Sequence, residues 1–143
     1  MIEIVKISAA EWNRISEETM EYSFGEKGWD EDMNRVSYAI LAQDDSAGTP
    51  YGFATIVELD KKTAYIQHGG TFPTTKGTAL GGRGFLHIIE HLRNRYQHIQ
   101  MRVKNTNFSM LKLCIKAGFV VCGIQQDKFG KMYLVQDLMV TNG

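Results

Sequence analysis

Two segments of this chain carry residue patterns that do chemistry through the backbone. The first is Thr71-Phe72-Pro73-Thr74-Thr75-Lys76-Gly77-Thr78-Ala79-Leu80-Gly81, a glycine-containing turn that runs into a helical pattern. Such a turn binds anions, because backbone N–H groups without carbonyl partners and the positive end of the helix dipole converge on one point. The second is Asn107-x-x-Met110-x-x-Leu113-Cys114-x-x-x-Gly118-Phe119, about one strand and one helix later. It reads as a helix closed by Gly118, with a new strand beyond it. Together they point to a phosphate-bearing cofactor held by a small α/β domain.

The elements that must position these segments follow from periodicity. Residues 2–7 alternate as a strand, and Ser8 with Glu11 three residues on forms a capping box for a helix carrying Trp12, Ile15, Met20 and Tyr22. Residues 24–34 are polar and acidic, with Gly25 and Gly28, and read as a loop or a short second helix. Strands are expected over 36–42, 51–59 and 63–72, the last two joined by a tight turn at Asp60-Lys61-Lys62. Gly69-Gly70 interrupts the third of these, as at a bulge or a close backbone approach. Phe85, Ile88, Ile89 and Leu92 form the stripe of a helix ending near Tyr96. A strand over 99–103, a helix over 108–116 and strands over 119–125 and 132–140 complete the order. The class is α/β (α+β): a mixed, mostly antiparallel sheet of six to seven strands with helices on both faces.

A length of 143 residues fits one domain, 1–143, and 43% apolar residues is ordinary for a globular protein. No apolar run spans a bilayer, and the first residues read as a strand rather than a signal peptide. Cys114 and Cys122 are the only cysteines and lack metal-ligand spacing, so a cytoplasmic protein without membrane attachment is expected. The charge is uneven. Residues 1–60 hold 13 acidic and four basic side chains, and residues 61–143 hold three acidic and 12 basic. The acidic half either faces a cationic second substrate or is a solvated face that attracts the basic half.

This element order with these two motifs resembles the GNAT superfamily of N-acetyltransferases over nearly the whole chain. The family's Arg/Gln-x-x-Gly-x-Gly/Ala signature is matched by Lys76-Gly77-Thr78-Ala79-Leu80-Gly81, with Pro73 three residues ahead and Phe85, Ile88 and Leu92 following at helical spacing. Asn107, Met110, Leu113, Cys114, Gly118 and Phe119 hold the places of its second motif. Three positions depart from the pattern. Lys76 stands for Arg or Gln and brings a point charge without a fork. Ala79 replaces a Gly. Cys114 replaces the Tyr that protonates the departing coenzyme A thiolate, and reads either as a proton donor or as a small buried hydrophobe.

The resemblance implies acetyl-CoA as acyl donor and an amine-bearing acceptor, small molecule or protein. The cofactor-binding set it implies is Gly70, Thr71, Phe72, Lys76, Gly77, Thr78, Ala79, Leu80, Gly81, Gly82 and Asn107. The family's general-base positions fall on Tyr65 and Gln67, neither a good base at neutral pH. His68 is expected on the opposite sheet face by alternation. Glu58, on the preceding strand, is placed to act through water. The free fraction of an amine held close to a thioester needs little further help, and backbone N–H groups around Gly69 to Thr71 are the expected polarising groups. The acidic cluster Glu17, Glu18, Glu21, Glu26, Asp30, Glu31 and Asp32 favours a cationic acceptor. The exposed sheet edge leaves a homodimer open.

Three other readings compete. His87 and His91 in His-Ile-Ile-Glu-His have zinc-ligand spacing but lie off the apolar stripe, as a solvated face would. Arg93, Arg95, Arg102 and Lys104 around Tyr96 are basic, but no nucleic-acid fingerprint accompanies them, and no nucleic-acid partner is expected. The same scaffold, lacking an evident acid and base, also reads as a catalytically weak or inactive acyl-CoA-binding or interaction protein.

Overall fold

A computed structural model describes residues 1–14, 35–72, 75 and 78–140. Among these residues seven strands and two full helices follow one another: β1 (Ile2–Ser8), β2 (Tyr38–Asp44), β3 (Pro50–Asp60), β4 (Thr63–Thr71), α1 (Ala79–Arg93), β5 (His98–Lys104), α2 (Phe108–Ala117), β6 (Val120–Gln126) and β7 (Met132–Met139). Residues 9–14 are also helical. The expected acidic cluster at residues 17–32 lies outside the described residues. No described helix is long and apolar enough to cross a membrane.

The strands form one sheet in the order β1-β2-β3-β4-β5-β7-β6. Only β4 and β5 are parallel, joined by the crossover through α1; every other neighbouring pair is antiparallel. The sheet separates two cores. On one face α1 and α2 bury Ile40, Ala54, Ile56, Ile66, Phe85, Ile88, Leu92, Ile99, Met101 and Cys114. On the other, Trp12 from the first helix is fully buried on Ala39, Leu41, Phe53 and Phe72, its ring 4.8 Å from that of Phe53.

Local chemistry sets the element ends. Ser8 Oγ accepts from the Glu11 N–H at 3.1 Å, which starts the first helix. Gly118, at φ 101°, closes α2: its N–H reaches the Ile115 carbonyl and the Phe119 N–H reaches that of Cys114. This is a Schellman closure, and the left-handed position favours glycine.

Gly69 and Gly70 pair regularly with Ala54 and Phe53, so neither is a bulge. The register shifts two residues earlier: Ile56 faces Ile66 while Thr55 faces His68, leaving Gln67 as the extra residue. Thr55 clamps the irregularity, accepting from the His68 N–H at 3.0 Å and donating to its carbonyl at 3.4 Å. The extra residue resets the alternation. Tyr65 pairs with Val57 and His68 with Thr55, so Tyr65 and His68 share the face opposite α1. The expectation that His68 points away from Tyr65 is corrected by this one-residue slip.

Candidate functional site

β4 and β5 pair only from Thr63–His98 to Ile66–Met101. Beyond that row β4 runs on to Thr71 and β5 to Lys104 without pairing to each other, so the parallel strands part as a fork. α1 begins at the open end of the fork. A helix start offers N–H groups without intrahelical partners, and this first turn carries no acidic residue. Thr78 caps it, accepting from the Leu80 N–H at 3.2 Å. The Thr78 hydroxyl donates to the Thr75 carbonyl at 2.6 Å, and that of Thr75 to the Tyr51 carbonyl at 2.7 Å. These threonines fasten the turn to β3. Their repetition at positions 71, 74, 75 and 78 is the signal in the sequence that would have marked them.

Among the candidate anion-site residues, Thr78, Ala79, Leu80, Gly81 and Gly82 come together at this helix start. Lys76 and Gly77 lie outside the described residues. Gly81 sits against the end of β4, where a Cβ would lie 2.3 Å from Thr71 Cγ2. Gly82 faces the Leu113 side chain of α2. Gly70 and Thr71 lie on the diverging part of β4, paired with Phe53 and Gly52. The Phe72 ring packs edge-on against Phe53 at 5.7 Å, and its N–H donates to the Tyr51 carbonyl at 3.3 Å. It therefore belongs to the second core. Asn107 is the N-cap of α2, its Oδ1 accepting from the Met110 N–H at 3.2 Å.

The candidates for proton chemistry are not brought together. Tyr65 lies before the fork on the face opposite α1, and the mostly buried Gln67 forms the bulge. Glu58 stands two residues from Ile56, on the α1 face, at the other end of that helix. Its carboxylate accepts from the Tyr96 hydroxyl at 2.5 Å and lies 4.0 Å from Arg95. Tyr96 also meets the Tyr38 hydroxyl at 2.6 Å. Burial, then the bonds to Glu58 and Tyr38, push the Tyr96 phenol far above its usual range.

Cys114 is fully buried, its Sγ 3.6 Å from Met101 Sδ. Burial pushes its pKa up to about 12, with the Gln136 carboxamide opposing. A thiol so placed is a weak acid at neutral pH. Sequence reading passed over Gln136, whose β7 position gives no outward sign of its burial.

His87, Glu90 and His91 are all exposed on α1, and no group of three metal-ligating side chains exists among the described residues. Of the basic stretch, Tyr96 is buried and Arg95 lies 4.0 Å from Glu58.

A mixed sheet forked between its two parallel strands, with a helix starting at the fork's mouth, is the fold of the GNAT acetyltransferases. No family model and no curated protein matches the chain. Solved structures do. The ribosomal-protein-S18-alanine N-acetyltransferase from Escherichia coli superposes with a TM-score of 0.75 at 15% identity, over 100% of this chain and 96% of that one. A GNAT family acetyltransferase from Elizabethkingia anophelis with acetyl-CoA bound gives 0.74 at 16% identity, over 96% and 97%. An IAA acetyltransferase from Bacillus cereus gives 0.73 at 16%, over 97% and 99%.

Proposed function

We propose that this chain transfers an acetyl group from acetyl-CoA to a primary amine of a cationic acceptor, by direct attack in a ternary complex. One observation carries the reading: the fork between β4 and β5 opens onto the acid-free N-terminus of α1. The residues present suit the donor. The N–H groups at the start of α1, apart from that of Leu80, which Thr78 holds, receive the pyrophosphate; the motif residues Lys76 and Gly77 are assigned to the same binding set, and Gly81 lets the helix start abut Thr71. The β4 edge from Gly69 to Thr71 receives the pantetheine arm and polarises the thioester carbonyl. A neighbouring fold with acetyl-CoA bound supports the same donor.

The chain's own groups then have distinct tasks. Tyr65 and Gln67 line the approach of the amine, which attacks from its neutral fraction. Cys114 acts as core packing and Asn107 as a helix cap. Glu58 braces the far end of α1 through Tyr96 rather than serving as a base. The acidic first third of the sequence draws a cationic acceptor. We place the reaction in the cytoplasm, a reading supported by two free thiols, Cys114 and Cys122.

Calorimetric titration of acetyl-CoA tests the donor site, with micromolar binding expected. Release of free thiol on addition of polyamines, lysine or aminoglycosides tests turnover. Binding without thiol release from any amine would favour the second reading, a non-catalytic acyl-CoA-binding protein, which the feeble acidity of Cys114 supports.

We further propose that β6 pairs with its copy in a homodimer. Val120–Gln126 is an edge strand without a charged residue, and Val120, Val121 and Ile124 are exposed on it. Such edges are normally blunted by charge. Ile124→Lys should convert a dimer to a monomer in analytical ultracentrifugation; a monomeric parent protein would refute this.

A further inference from the structure

Four polar side chains among the described residues are buried: Thr55, Gln67, Thr75 and Gln136. Thr55 and Thr75 are satisfied by backbone bonds. Gln136 is fully buried; among the described residues its Nε2 and Oε1 have no nitrogen or oxygen partner, and its carboxamide lies against the Cys114 thiol. An unsatisfied buried amide is destabilising and needs a reason.

Its position supplies one. Gln136 pairs with Met101 across β5–β7, and Met101 pairs with Ile66 in the last row before the fork opens. Met101 and Leu138, its row partner and its i+2 neighbour, lie in the core under α1 and α2, so Gln136 occupies that face too. The Cys114 thiol lies beside both Met101 and the carboxamide. Beside the crotch of the fork, one strand beyond it, therefore lie one weakly acidic thiol and one amide with a donor to spare.

We propose that Gln136 donates a hydrogen bond to the sulfur of the acyl donor as it leaves. This rests on the acyl-CoA reading above. In the step, the amine nitrogen bonds to the carbonyl carbon and the C–S bond breaks. The electron pair stays on sulfur, and the extra proton on nitrogen passes to water. Gln136 gives up no proton; its Nε2–H stabilises the negative sulfur, as a donor facing a charged acceptor does.

The test compares coenzyme A with desulfo-coenzyme A, which lacks the thiol, at pH 9, where a thiol of ordinary pKa near 8.5 is largely ionised. The parent protein should bind coenzyme A about tenfold more tightly than the desulfo compound, the worth of one hydrogen bond to a charged group. Gln136→Leu and Gln136→Met should bind the two alike and melt no lower than the parent, having lost an unpaired polar group. Their kcat should fall while the acetyl-CoA KM holds. An equal preference in parent and variants would overturn the inference and leave the acyl-CoA site standing. Failure of the parent to bind either compound would overturn both.

Discussion

Gly81 and Thr71 meet where the first turn of α1 abuts the last residue of β4, so closely that a Cβ on Gly81 would lie 2.3 Å from Thr71 Cγ2. The glycine is thus a packing requirement between a helix start and a strand end. Gly81→Ala gains about 1 kcal/mol of helix propensity but forces an overlap worth roughly 1–3 kcal/mol. The expected outcome is a net loss of melting temperature, largely recovered in Gly81→Ala with Thr71→Ala. Thermal melts of the two single variants and the double variant measure the coupling; additive effects would show that the overlap is relieved elsewhere.

Gly82 offers a cleaner probe of the anion site, because among the described residues a side chain there meets the movable end of Leu113, at 3.3 Å. Gly82→Asp places a carboxylate in the first turn, which suits the helix dipole and opposes a phosphate. We expect an unchanged or raised melting temperature and at least a tenfold loss of acetyl-CoA affinity, on the order of 1.4 kcal/mol. Calorimetry and a thermal melt on the same sample decide it. Retained affinity would move the pyrophosphate away from α1.

Asn107 caps α2 through its side-chain oxygen. Asn107→Ala should cost about 1 kcal/mol of stability and leave the acetyl-CoA dissociation constant within a factor of two, about 0.4 kcal/mol. Denaturant unfolding and calorimetry separate the two effects. A weakened cofactor with unchanged stability would give Asn107 the orienting role its motif position implies.

The Tyr96 phenol, donating to Glu58 and meeting Tyr38, has its pKa raised above 10 in the folded state, chiefly by burial. Its neutral form is the one the fold favours. That contribution is complete below pH 10 and falls away as the pH rises above 10 toward the folded-state value. Stability should therefore decline steeply above pH 10, and Tyr96→Phe should be less stable at pH 8 but decline less. Tyr38, also raised, retains part of the slope. Urea unfolding at pH 8, 9.5 and 10.5 checks this; parallel curves for the two proteins would refute it.

Much of the architecture was legible because local signals agreed with the final packing. Ser8 with Glu11, the Phe85-Ile88-Leu92 stripe and Gly118 mark element ends and faces that the fold keeps. The Gln67 bulge was not legible. The local bulge signal is the glycine pair two residues on, whereas the slip is held by the hydroxyl of Thr55 on another strand. That slip also decides the face of His68. The partners of Glu58 were hidden for a related reason: its face and its contacts with Tyr96 and Arg95 depend on register and on a helix end 37 or more residues away. Gln136 could not be found from composition, since its burial is created by β7 inserting between β5 and β6.

That insertion governs how the molecule is made. β7 follows the other described strands in the chain, yet it supplies the lateral partner of β5 and, among the described residues, the one strand that pairs with β6. While the chain emerges from a ribosome, β2 to β4 can gather as a meander of hairpins with β1 laid along β2, but β5 gains its outer brace only when Met132–Met139 has cleared the exit. One arm of the fork is therefore completed last. A nascent chain arrested before residue 132 would present β5 and β6 as two open edges, a form suited to chaperone capture and to aggregation rather than to ligand binding.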